Sequence, residues 1–164
     1  MGDRLIRLVS DMREHLPTTA LHILSNGRRF VDPKFAQAYA AIGHPDAMLG
    51  IPIYSASSQT HDYIVQADGA FDETIRGILN LKTYEQQVEI RVVIHRQNYA
   101  HLPALAEFIA RNLTFVDQLA LMGLEMTGFA KANIDELWID PFDYRQELFE
   151  AATLLSSIGQ NRKA

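Results

Sequence analysis

FDETIRGILNLKTYEQQVEIRVVIHRQN, residues 71–98, decides how the rest of the chain is read. Its first half is helical: Phe71, Ile75, Ile78, Leu79 and Leu81 form an apolar stripe, with Asp72, Glu73, Arg76 and Lys82 elsewhere on the surface. At Val88 the period drops to two. Val88, Ile90, Val92 and Ile94 point one way, and Glu89, Arg91, Val93 and His95 the other. A helix feeding a strand is the repeating unit of a parallel α/β fold. A polar strand face suits the lining of a barrel better than an open sheet covered on both sides.

The other segments repeat this unit. A helix over residues 3–16, with Leu5, Val9, Met12 and Leu16 as its stripe, precedes a short strand at residues 20–24. Ser25-Asn26-Gly27 closes that strand, because Asn and Gly tolerate positive φ. Asp32-Pro33 reads as an N-cap and first helical residue, and this second helix runs to Gly43. MLGIPIYS, residues 48–55, is the next strand. Pro52 donates no ladder bond, so an edge position or a bulge is expected there.

Residues 55–69 read as a loop of functional length with a helical turn at 61–65. After the organising unit come a helix at 102–112, with Leu102, Leu105, Phe108 and Ile109 as its stripe, and a strand at 116–122. A loop at 123–131 contains Glu125. A last helix is expected from Asp140-Pro141, with Phe142, Leu148, Ala152 and Leu155 facing inward. The expected fold is therefore a single α/β domain with about four parallel strands, right-handed crossovers and a partial barrel-like sheet.

Composition narrows the function. The chain has 164 residues, 48% hydrophobic and 21% charged, with a formal net charge of -5. The acidic balance and the lack of a basic run argue against nucleic acid as the main partner. No apolar run of about 18 residues suggests a membrane span, and the charged N-terminus is unlike a signal peptide. A cytoplasmic protein is the expectation. There is no cysteine, so the chain supplies no disulfide, thiolate metal site, cysteine nucleophile or iron–sulfur ligand.

Ligands of parallel α/β folds bind at the C-terminal strand ends. The candidates there are Ser25, Asn26 and Gly27; Tyr54 and Ser55; Arg91 and His95; and Met122 to Glu125. Asn26-Gly27 also reads as an ordinary turn, Ser55 as a capping hydroxyl, and His95 as an exposed or hydrogen-bonded imidazole. Arg91 on an inward face calls for an anionic partner, either Asp117 of the next strand or a ligand. His61-Asp62 lacks a third residue at metal spacing.

LHILSNGRRF (21–30), MLGIPIYS (48–55), HDYIVQADGAFDETIRGILNL (61–81) and the run from Val88 to Pro141 together resemble the central part of radical S-adenosylmethionine enzymes. Within that superfamily the resemblance is to the maturases of the His-Xaa-Ser peptide-modification system. It implies a partial TIM barrel represented here by strands three to six. The C-x-x-x-C-x-x-C cluster loop and the Gly-Gly-Glu-Pro-like segment that holds the cofactor's amino group have no counterpart in the chain.

By position, the resemblance implies cofactor contacts at Asn26 and Gly27 after strand three, Ser55 after strand four, Arg91 on strand five, and the segment from Met122 through Glu125 to Met126 at the end of strand six. S-adenosylmethionine and an iron–sulfur cluster are the family's cofactors. Neither is expected to bind this chain strongly. The implied role is a fragment or split subunit, inactive alone, completed by an N-terminal polypeptide carrying the cysteines and acting on a peptide substrate. A non-catalytic binding or scaffold module derived from the fold is the alternative. The missing strands would leave residues 21–24 as an open edge, which predicts a homodimer or an exchanged assembly.

Overall fold

The computed structural model describes residues 2–161. Helix α1 (Gly2–His15) leads into β1 (Leu21–Leu24), α2 (Pro33–Ala40), β2 (Ala47–Pro52), α3 (Ser58–Val65), α4 (Ala70–Thr83) and β3 (Gln87–Ile94). Then follow α5 (Leu102–Asn112), β4 (Gln118–Gly123), the short helices α6 (Gly128–Ala132) and α7 (Ile134–Leu137), and α8 (Arg145–Asn161). The four strands form one parallel sheet in the order β1-β2-β3-β4. Sequential order means that each crossover moves the chain one strand further in the same direction. That is the winding of a barrel segment; a doubly wound sheet reverses direction part-way.

The expectation for Pro52 fails, and hydrogen-bond parity explains why. β2 lies between β1 and β3, not at an edge. In a strand, alternate residues address opposite neighbours. Gly50 accepts from the Ser25 N–H on the β1 side at 3.1 Å, whereas Ile53 donates to the Arg91 carbonyl on the β3 side at 3.0 Å. Pro52 shares the parity of Gly50, so its missing N–H falls beyond the end of β1, where no ladder bond is lost.

Two loop expectations are also corrected. Residues 55–69 contain the two-turn helix α3, started by the Ser57 hydroxyl, which accepts the Thr60 N–H at 3.4 Å. The segment expected as a loop at 123–131 contains the start of α6. Asp140-Pro141 makes a turn instead of starting the last helix: the Asp140 side chain accepts the Phe142 N–H at 2.9 Å, and its carbonyl accepts the Asp143 N–H. Tyr144, just before α8, and Ala151 are buried, and Leu148 and Leu155 of the expected stripe are half-buried on the same face. Phe142 and Ala152 are exposed.

The backbone clusters into two compact units, with β3 and β4 each passing from the first to the second. The first comprises the residues up to Pro52, Asp68–Ile90 and Val116–Leu119. Its core contains Phe30, Leu49, Ile51, Ile78, Leu81, Val88 and Ile90. Here α4 buries Phe71, Thr74, Gly77, Ile78 and Leu81, while Leu79, expected in the stripe, is exposed. The second comprises Ile53–Ala67, Arg91–Phe115 and the residues from Ala120 on. Its core includes Ile53, Val92, Ile94, Leu105 and Ile109, and α5 packs against α8. Among the described residues no helix is long and apolar enough to cross a membrane.

Candidate functional site

In the second unit, the segment that follows β2 and the end of β3 carry a buried polar network. Tyr54 has the same parity as Pro52, so its N–H points where no strand receives it. Helix α3 solves this by bringing His61 back over the strand end. The Tyr54 N–H donates to His61 Nδ1 at 3.2 Å. Ser55 starts the return, its hydroxyl accepting the Ser57 N–H at 3.0 Å. Ser55 and His61 are both buried.

The end of β3 is tied by Asn98, which is 1% exposed. Its Oδ1 accepts the His95 N–H at 2.9 Å, and its Nδ2 donates to the carbonyls of Val93 at 2.9 Å and Tyr54 at 3.4 Å. One amide thus closes the turn after β3 and ties it to the segment after β2. His95 is also buried, and its Nδ1 accepts the Gln97 N–H at 3.3 Å.

A backbone N–H can only donate, so Nδ1 of both His61 and His95 is a lone-pair acceptor. Each ring is therefore neutral with its proton on Nε2. Burial lowers the pKa of both imidazoles; at His61 the neighbouring Asp62 carboxylate opposes this more weakly. The Tyr54 ring contacts both, with centroids 5.9 Å from His61 and 5.8 Å from His95. Burial raises the Tyr54 phenol above its ordinary value, so it remains a hydroxyl donor at neutral pH. The result is a phenol flanked by two neutral imidazoles, suited to hydrogen bonding and stacking with a neutral polar or aromatic group.

Of the positions singled out in the sequence, Arg91 and Met122 come together: Arg91 Nη2 donates to the Met122 thioether at 3.0 Å. Ser55 belongs to the network just described. Glu125 is exposed on the segment after β4. Asp117, considered as the acid for Arg91, holds Lys82 Nζ at 2.7 Å and the Val88 N–H at 2.8 Å.

Asn26 and Gly27 lie in the first unit. Asn26 Oδ1 accepts the Arg28 N–H at 3.3 Å, and the Asn26 carbonyl accepts the Thr74 hydroxyl at 3.1 Å. Gly27 has φ +75, and α4 comes so close at Gly77 that a Cβ there would run into the Gly27 carbonyl oxygen. The polar face of β3 continues in this unit as Glu89, 2% exposed, with Oε1 3.2 Å from His22 Nε2 of β1.

No protein-family model and no curated protein matches the chain. Fit to the cofactors of the resembled enzymes therefore rests on the residues themselves. An iron–sulfur cluster does not fit, since the chain has no thiolate and, among the described residues, no three His, Asp or Glu side chains gather as metal ligands. Arg91 and Met122, two of the positions that the resemblance singles out, are in direct contact.

Sequence reasoning missed Asn98, held His95 as a strand-end candidate or a hydrogen-bonded imidazole, and considered His61 only beside Asp62 for a metal. Spacing carried a faint signal. An Asn three residues after a strand-end His can cap that residue's N–H with its own side chain. What made the group a network was burial, which no single segment encodes.

Proposed function

We propose that this chain is the radical-deficient part of a split S-adenosylmethionine peptide maturase of the His-Xaa-Ser type. It binds cofactor or peptide at its strand ends, while a separate polypeptide supplies the cluster thiolates and the methionine anchor. The observation that carries the proposal is the Arg91–Met122 contact, in a sheet wound strand by strand in sequence order. Those two positions match cofactor-contacting positions of the resembled family.

Reconstitution with iron and sulfide should leave the purified chain colourless and without 5′-deoxyadenosine production. Calorimetry with S-adenosylmethionine should show weak binding, in the range of hundreds of micromolar, lost in Arg91→Ala. A cluster absorption band with S-adenosylmethionine cleavage would overturn the split-enzyme reading. Binding that is indifferent to Arg91→Ala would remove Arg91 from the site.

A second reading, a non-catalytic binding module, is favoured by the strand-end network in which Ser55, His61, His95 and Asn98 hydrogen-bond to the backbone. Under that reading the half-buried Tyr54, held against the two buried imidazoles, is the recognition group. Tyr54→Phe would then weaken peptide binding while Arg91→Ala would not.

A further inference from the structure

The first unit contains a cavity of about 310 Å³ at the C-terminal end of β1. Its apolar wall is made by Leu5 of α1, Ile23 of β1, and Phe30 and Phe35 from the turn and helix that follow. The aromatic part of the wall is held firmly: the Phe30 ring lies 5.1 Å from Phe35 and 5.4 Å, edge-on, from buried Tyr39. The volume is at the small end of ligand pockets. It corresponds to about ten waters at ~30 Å³ each, room for a compact organic molecule and too little for a folded peptide segment.

The polar residues of the lining are Ser25, Asn26 and Arg29, and among the described residues no carboxylate lines the cavity. The Ser25 hydroxyl and the Asn26 carboxamide oxygen each accept a backbone N–H, and the Ser25 O–H and the Asn26 Nδ2 can each donate to a ligand. Arg29 is exposed and adds a guanidinium, which lies 5.3 Å from the Phe35 ring centre. Its partner in the structure is the α2 cap Asp32, at a long 3.6 Å, and the other carboxylate oxygen of Asp32 is taken by the Lys34 N–H. A long exposed pair of this kind contributes little and yields readily to a better acceptor. The matching ligand has an apolar body and an anionic, acceptor-only head.

We infer that this cavity is a binding site for a small monocarboxylic acid, its hydrocarbon body against Ile23, Phe30 and Phe35 and its carboxylate at Arg29 with Ser25 and Asn26. The site lies wholly in the first unit and does not depend on the function proposed for the second.

Amide chemical-shift titrations of the full chain with hexanoate and with 1-hexanol test it, since the two probes share a body and differ in the head. Hexanoate should give saturable shifts in residues 21–30 and bind at least fivefold more tightly than hexanol. Arg29→Gln, a change at an exposed position, should bring hexanoate down to the hexanol level. Ile23→Trp, which fills the cavity, should abolish both. Absence of saturable shifts with hexanoate, equal affinity for the two probes, or unchanged hexanoate binding in Arg29→Gln would each overturn the assignment. If Ile23→Trp does not fold, Arg29→Gln still decides the role of the head group.

Discussion

Strands β1 and β2 both end at polar turns of a parallel sheet, and the two turns are held by opposite means. After β1, control lies in the backbone: Gly27 takes a left-handed conformation and α4 presses onto it where Gly77 has no side chain. After β2, control lies in side chains, with His61 and Asn98 reaching back to an N–H and a carbonyl that the ladder leaves unpaired. A backbone solution depends on shape and ignores pH. A side-chain solution built on neutral imidazoles ties the geometry of the second unit's strand ends to proton activity.

The largest effect is expected at the first turn. Gly77→Val would force α4 away from the Gly27 carbonyl, an overpacked contact with backbone that cannot rotate aside. A loss of about 3 kcal/mol is expected, measured by urea unfolding; a variant within about 0.5 kcal/mol of the parent would show that α4 is free to shift.

Next comes Asn98→Ala in the second unit. It leaves the His95 N–H and the Val93 carbonyl without their side-chain partner in a buried turn, for a loss of about 2 kcal/mol. Asn98→Asp separates hydrogen bonding from packing: it keeps the acceptor for His95, loses the donor to Val93 and Tyr54, and buries a charge, so it should be no more stable than the alanine variant. Gly27→Ala is expected to be milder. The strain of a positive φ is about 1 kcal/mol, and the new methyl meets the γ-methyl of buried Ile51 at 3.0 Å, a contact that a shift of a few tenths of an ångström relieves.

The smallest effect separates the two turns most directly. His61 and His95 have lowered pKa values in the fold, so below their ordinary value near 6.5 the unfolded chain takes up protons that the folded chain does not. Stability from these groups is therefore complete above pH 6.5 and falls as the solution is acidified below it. Unfolding midpoints at pH 7.5 and 5.5 should differ. The difference should shrink in His95→Gln and be unchanged in Gly27→Ala. A Gln variant with the full pH dependence would mean that other groups cause it.

The outer strand β1 bears on the first unit alone. β1 is an outer strand of the sheet, and Leu24 is 66% exposed. If this edge pairs two copies of the chain, light scattering should give a dimer mass that Leu21→Lys reduces to a monomer.

Much of the fold was legible because its signals are local. The alternation from Val88 to Ile94 marks β3, Asp32-Pro33 caps α2 with its side chain on the Lys34 N–H, and the helix-strand succession implies a parallel sheet. Asp140-Pro141 misled because the same two residues make a turn as readily as a helix start. In the α8 stripe Leu148 and Leu155 were read correctly and are half-buried, whereas Phe142 and Ala152 stood in place of Tyr144 and Ala151. Arg91 was singled out from its inward place on β3 and Met122 from the end of β4, and the two are in contact, while Asn98 was passed over as one more polar residue after a strand.

Sequence by itself determined the order of helices and strands, the parallel sense of the sheet and the lack of any thiolate chemistry, because periodicity, connection length and residue type are properties of the chain taken segment by segment. Tertiary structure decided the rest. Pro52 is harmless in an inner strand only because β1 stops at Leu24, two residues short of its missing N–H. His61 and His95 are neutral because distant segments take water away from them and backbone N–H groups occupy their Nδ1 atoms. Each outcome depends on where separate strands end relative to one another, a quantity set by lateral packing.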